Sequence, residues 1–190
     1  EVIDRELSRS DDVIQRLLEI TKGETLRKEP TDLLELAREA MKYSNVTGSV
    51  SLSLSFNPKY FPISLDRILF RQILSNLFLN AIQAMPDGGK INLVTSKLEN
   101  GQVLISISDQ GIGIEQKDIK KIFDPLFTDK EDGVGLGLSL CRELVTRHGG
   151  TIGAKSEKNQ GTTISIILPK EDSTLAKTQN TKLSKQLTNT

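Results

Sequence analysis

Residues 71–85, RQILSNLFLNAIQAM, form a strongly apolar helical stretch that calls for burial, yet it carries Asn76 and Asn80. Four residues apart, the two amides lie one turn apart on the same helix face. A buried amide without partners costs about 1–3 kcal/mol. Two of them on one face imply that something polar sits against it.

The flanking sequence predicts what surrounds this helix, which should run from about Leu65 to Met85. SVSLSLSF alternates Val50, Leu52, Leu54 and Phe56 with serines, the pattern of a half-buried strand. PDGG is a turn, and KINLVTSKLE with QVLISISD form a hairpin tipped by Asn-Gly. A short helix is expected near IEQKDIKKIF, and a longer one over LGLSLCRELVTRHGG, closed by Gly149. TIGAKSEK and TTISIILP supply two last strands. Upstream, Asp32 reads as an N-cap with Glu35 three residues on, opening a helix to about Met41. Helices alternate with strands and hairpins also occur, which predicts a mixed sheet with helices on one face.

Four segments are expected along the chain. In residues 1–22, Ile3, Leu7, Ser10, Ile14, Leu17 and Thr21 step by four and three alternately, a heptad-like seam suited to a helical bundle. Residues 23–30, with Gly23 and Pro30, read as a linker. Residues 31–169 form the folded domain. Residues 170–190 are polar and lack aromatics, the composition of a disordered tail.

Composition narrows the function classes. Lys plus Arg and Asp plus Glu both number 25, so the net charge is zero and no nucleic-acid or acidic-membrane partner is indicated. The absence of tryptophan likewise gives no platform for stacked bases. The one cysteine, Cys141, rules out an internal disulfide and any multi-cysteine metal site. The expectation is a soluble cytoplasmic domain, compatible with a parent protein anchored to a membrane upstream.

Two glycine-studded stretches suggest the missing polar partner. In DQGIGIE, Asp109 ends an apolar strand, where its carboxylate can accept from an exocyclic amine such as that of adenine. Gly111 and Gly113 let the backbone approach a flat ligand closely. In DGVGLGLSL, Gly133, Gly135 and Gly137 precede a helix, and N–H groups at a helix N-terminus suit a phosphate. Either stretch alone is as compatible with an ordinary turn or flexible loop. Mg²⁺ takes oxygen ligands and borrows several from substrate phosphates, so an Asn amide oxygen is a fitting protein ligand.

In order, the chain carries Asn76-x-x-x-Asn80, Asp109-x-Gly111-x-Gly113, Phe123-Asp-Pro125-Leu-Phe127, Gly133-x-Gly135-x-Gly137 and Gly161-Thr162. This series resembles the N, G1, F, G2 and G3 boxes of the catalytic, ATP-binding domain of bacterial sensor histidine kinases. The phrase FDPLFTDKEDGVGLGLSL is most similar to the nitrogen-regulation type. The resemblance covers about residues 31–169. It implies an α+β fold, the two-layer α/β sandwich of the Bergerat or GHKL type.

The resemblance also implies residue roles. Asp109 would read the adenine amino group, supported by Thr162 and lined by Gly111, Gly113 and Ile114. Asn80 would coordinate Mg²⁺, with Asn76 near the metal and the phosphates. Residues 123–137 would form a lid, with Phe127 and Thr128 at its root. Lys130, Gly133, Val134, Gly135, Leu136, Gly137 and Leu138 would close on the phosphates. Leu126, Asp129 and Ile164 depart from common family choices, and none of these changes removes a proposed ligand.

Related ATPases and serine kinases generally have a glutamate where this chain has Asn76. Water and serine hydroxyls must lose a proton as they attack, whereas a neutral imidazole offers a lone pair. An amide cannot act as that base, so Asn76 favours transfer to histidine over hydrolysis. His148, the single histidine, sits before a glycine C-cap, where a partly charged imidazole suits the helix dipole. The family often has histidine there without phosphorylating it, so His148 is not the expected acceptor. Residues 1–21 resemble the distal half of the second helix of the dimerisation bundle, and the acceptor histidine would lie on the preceding helix. The implied partners are that bundle, supplied by the parent or separately, a response regulator receiving the phosphoryl group, and a second copy in a homodimer. A GHKL ATPase or serine kinase, and a nucleotide-dead scaffold, are the alternatives.

Overall fold

The computed structural model describes residues 25–43, 50–57, 63–130 and 133–169. The expected bundle helix over 1–22 and the tail over 170–190 lie outside the described residues.

The elements in chain order are β1 (Lys28–Thr31), α1 (Leu33–Tyr43), β2 (Val50–Asn57), β3 (Ile63–Asp66) and α2 (Arg67–Gln83). There follow β4 (Gly89–Lys97), β5 (Val103–Ser108), α3 (Gly137–Arg147), β6 (Thr151–Ser156) and β7 (Thr162–Leu168). The main sheet has the order β2-β4-β5-β7-β6, with β2 parallel to β4 and every other pairing antiparallel. It is the mixed sheet that the strand and helix pattern calls for.

Strand alternation sends one set of side chains into the core. Leu54, Leu93, Ile107, Ile164 and Ala154 stand in one row across the five strands, read directly from the pairing register. Against these rows packs α2, whose Phe70, Ile73, Leu74, Leu77, Phe78 and Ala81 are buried. Helices α1 and α3 both pack against α2. The opposite sheet face carries paired hydroxyls, Ser108 to Thr163 at 2.8 Å and Ser106 to Ser165 at 3.4 Å. Val94 on that face is 41% exposed, so the sandwich has two layers.

Local chemistry sets the helix ends. Asp32 caps α1 by accepting from Leu34 N at 2.8 Å and Glu35 N at 3.3 Å. Arg67, at the start of α2, pairs with Glu39 at 2.6 Å and ties the two helices together. Three expectations need correction. Residues 65 and 66 do not begin the helix: Ile63–Asp66 is a strand, and Asp66 is the N-cap, accepting from Leu69 N at 3.1 Å. The last three residues of the expected linker belong to β1, which pairs antiparallel with β3. No helix forms over IEQKDIKKIF. Asp118 N bonds Glu115 O at 2.9 Å and Lys121 N bonds Asp118 O at 2.8 Å, a chain of turns that buries only Ile122 and Phe123. Two apolar residues give too little buried surface to hold a regular helix there.

His148 is the C-cap of α3, and Gly149 follows at φ +80°. The imidazole is buried, not partly charged at an open helix end. Its Nδ1–H donates to Leu144 O at 2.7 Å, while Nε2 accepts from Asp66 N at 3.1 Å. Its ring meets Phe70 edge-on, with centroids 5.6 Å apart. Burial pulls its pKa down, so the ring is neutral in the fold. The end of α3 is thereby fastened to the start of α2.

Two outcomes are expected. Thr95 Oγ1 is buried with no hydrogen-bond partner among the described residues, so Thr95→Val should raise denaturant-measured stability by about 1 kcal/mol. His148→Ala should lower it by about 2–4 kcal/mol, through a cavity and an orphaned Asp66 N–H. With its pKa depressed, His148 stabilises fully above the unfolded value of about 6.5. That contribution is lost as pH falls through the folded value, and His148→Gln should remove this part of the acid sensitivity.

Candidate nucleotide site

Asp109 follows the last residue of β5 and lies beside the first residue of β7. Its main-chain N–H donates to Thr162 O at 2.9 Å, continuing the ladder by one step. Its Oδ1 accepts from Gly111 N at 2.8 Å and from Thr162 N at 3.2 Å. The second oxygen, Oδ2, has no hydrogen-bond partner among the described residues. Burial pushes the Asp109 pKa up, against the opposing pull of the Gly111 and Thr162 N–H groups. A desolvated carboxylate with one oxygen held and one oxygen open is a directional acceptor.

Close backbone approaches shape the neighbouring loop. A Cβ on Gly111 would stand 2.6 Å from the Ala84 carbonyl oxygen, and Ile112 N bonds that same oxygen at 3.0 Å. The Asp109 loop is thus pinned to the end of α2. Gly113, at φ +66°, lies against the Glu157 carbonyl, so no side chain fits there. Ile114 packs against the core, and its N–H donates to Ser156 Oγ at 2.8 Å.

Asn76 and Asn80 lie on α2 beside its buried stripe, each half-buried. Neither amide has a hydrogen-bond partner among the described residues. Among the described residues no main-chain group satisfies them, which leaves the amides available to a ligand. One turn on, Gln83 Oε1 accepts from Lys130 Nζ at 2.6 Å. This bond brings the loop lysine to the helix that carries both asparagines. Crowding by protein pulls the Lys130 pKa down, with Asp129 pulling the other way.

The loop around Lys130 is folded on itself. Leu126 N bonds Gly135 O at 3.0 Å, and Gly135, at φ +71°, lies against the main chain of Leu126 and Phe127. Leu126 itself stands at φ +65° and is 65% exposed. Phe127 packs on the core, while Thr128 Oγ1 accepts from Lys130 N at 3.1 Å beneath Gly133. Val134 and Leu138 are half-buried. Leu136 is 1% exposed as a whole residue, so it is buried rather than lining open space.

Leu136 is also the N-cap of α3 and makes no side-chain cap bond, which leaves the first N–H groups of the helix free of a capping side chain. Around Gly137 a Cβ would meet nothing within 4 Å. Uncapped amides beside open space can take an anion. Among the described residues, no cluster of three or more His, Cys, Asp or Glu side chains could hold a metal ion. A divalent ion here would therefore lean on amide oxygens and on phosphate.

Sequence reasoning missed Gln83, Ala84 and Ser156. The first continues the Asn76, Asn80 face at helical spacing and was legible on that ground. The role of Ala84 as a backbone anchor, and that of Ser156, come from contacts between distant segments.

A family model for histidine kinase-, DNA gyrase B- and HSP90-like ATPases matches residues 65–172. The signal transduction histidine-protein kinase AtoS of Escherichia coli K12 is 36% identical over 171 residues, covering 88% of this chain and 28% of AtoS. The chain thus spans little more than a quarter of that relative. Full-length ShkA, solved with AMPPNP, superposes with a TM-score of 0.73 at 25% identity, over 83% of this chain and 35% of ShkA. Histidine kinase ThkA, solved with the response regulator TrrA, gives 0.70 at 29% identity, over 90% and 50% of the respective chains. By its fold, its arrangement of motifs and these likenesses, the chain belongs to the histidine kinase-, DNA gyrase B- and HSP90-like ATPase family.

Proposed function

We propose that this chain is the ATP-binding catalytic part of a sensor histidine kinase of the nitrogen-regulation type. It would transfer the γ-phosphoryl group of ATP to a histidine on a dimerisation bundle, for relay to a response-regulator aspartate. The observation that carries this reading is the Asp109 carboxylate, with Oδ1 bonded to two main-chain N–H groups and Oδ2 without a hydrogen-bond partner among the described residues. An open acceptor in a desolvated place selects a donor, and the 6-amino group of adenine is one. The AMPPNP complex of ShkA and the response-regulator complex of ThkA support the nucleotide and the downstream partner.

In this reading α2 serves the phosphate end. Asn80 would hold Mg²⁺ through its amide oxygen and Asn76 would stand beside it, since neither amide has a hydrogen-bond partner among the described residues. When bound, Mg²⁺ neutralises charge on the triphosphate. Lys130 and the uncapped N–H groups of α3 provide further positive potential. Transfer then rests on positioning and charge neutralisation rather than on a protein base. Asn76 cannot deprotonate water, which sets this chain apart from hydrolytic members of the fold. Among the described residues no helix is long and apolar enough to cross a membrane. A cytoplasmic position, where ATP and receiver domains are found, fits the proposal.

ATP should displace a fluorescent ATP analogue far better than GTP, and Asp109→Asn should weaken ATP binding about 10- to 100-fold. Because burial raises the Asp109 pKa, ATP affinity should fall on acidification before an ordinary aspartate, near pH 3.9, would titrate. Equal competition by GTP and ATP would contradict the role of Asp109. Asn80→Ala should remove most of the gain in ATP affinity that Mg²⁺ gives, about tenfold or more, and leave metal-free binding little changed. With Mg²⁺ and no bundle, ATP turnover should stay negligible; sustained hydrolysis would favour the ATPase alternative.

A further inference from the structure

Ser156, the last residue of β6, touches three polar atoms. Its Oγ lies 2.7 Å from Gly161 O, 2.8 Å from Ile114 N and 3.0 Å from Thr162 Oγ1. A hydroxyl has one proton and two lone pairs, a carbonyl only accepts and a main-chain N–H only donates. The Ser156 proton therefore goes to Gly161 O, and one lone pair takes Ile114 N–H. Only a lone pair remains for Thr162, so Thr162 must be the donor in that contact. Its single proton is then spent on Ser156. Thr162 is 9% exposed and has little bulk water to turn to instead.

Beside it, Thr162 N is committed to Asp109 Oδ1, and Asp109 Oδ2 can only accept while ionised. The geometry points to Ser156 as a specificity-determining residue, one that turns the Thr162 proton away from the base and leaves Thr162 Oγ1 beside Asp109 Oδ2 as a second acceptor. A 6-amino purine offers donors to such an edge. A 6-oxo purine sets a carbonyl oxygen against these two acceptors, and an unpaired buried acceptor is costly. This deepens the adenine-nucleotide proposal and rests on it. Ser156 acts through Thr162 and is a positioning residue.

The experiment compares ATP with ITP, which differ at the 6-position and in the proton that ITP carries on N1, by displacement of a fluorescent ATP analogue from the whole chain in Mg²⁺. The unmutated chain should prefer ATP. Ser156→Ala releases the Thr162 hydroxyl to donate, and the ATP-to-ITP preference should fall about fivefold, chiefly through tighter ITP binding. Ser156→Thr, which keeps the hydroxyl, should restore the preference. Adding Thr162→Val to Ser156→Ala removes the freed hydroxyl and should abolish the gain for ITP. Ser156→Cys fills the same space with a weaker acceptor and should shift the ratio the same way, which covers the case in which Ser156→Ala does not fold. Equal losses for both nucleotides, or an unmoved ratio in the folded variants, would overturn the inference while leaving adenine binding intact. Failure of the unmutated chain to bind either nucleotide would overturn the proposed function and this inference with it.

Discussion

One carboxylate oxygen joins the two strands on which the site depends. Asp109 Oδ1 accepts from the N–H of Gly111, in the loop that leaves β5, and from that of Thr162, which opens β7. Hydrogen bonds to an ionised acceptor are worth about 1.5–3 kcal/mol each, so this pair holds the loop against the sheet edge. The same bonds orient the carboxylate and point its other oxygen elsewhere. Gly161 makes this possible, because a side chain there would run into the Asp109 carbonyl. A structural device and the proposed adenine anchor are thus one group.

Helix α2 works in a comparable double way. Its buried stripe carries the core, and the adjacent face carries Asn76, Asn80 and Gln83 at spacings of four and three. The core packing fixes the rotation of the helix, and that rotation fixes where the amides stand. Its two ends are held separately. Asp66 and His148 tie the beginning to α3, while the Ala84 carbonyl ties the end to the Asp109 loop. Loosening either end would move the amides relative to the carboxylate, a route by which mutations far from the site would change nucleotide binding.

The sheet and its long helices were legible because they rest on periodicity. Val50 to Phe56, Val103 to Ser108 and Thr162 to Leu168 alternate as strands, and the apolar steps of α2 and α3 repeat at helical spacing. Short elements were less legible. KEPT and ISLD form β1 and β3 only because each pairs with the other, across 32 to 38 residues of chain. Local propensity does not register such a pairing. The segment 114–123 failed in the opposite sense: its composition suits a helix, but only Ile122 and Phe123 of it are buried. The candidate site was legible in its glycines and carboxylate. Burial of the His148 ring and the proton accounting at Ser156 depend on contacts across 82 and 42 residues of chain, beyond any local motif.

A crystal structure with AMPPNP and Mg²⁺ tests most directly where a purine sits. The account predicts the adenine amino nitrogen within about 3 Å of Asp109 Oδ2, with both α2 amides facing the triphosphate. Adenine bound away from Asp109, or Asn76 and Asn80 turned onto main-chain partners while nucleotide is bound, would contradict it.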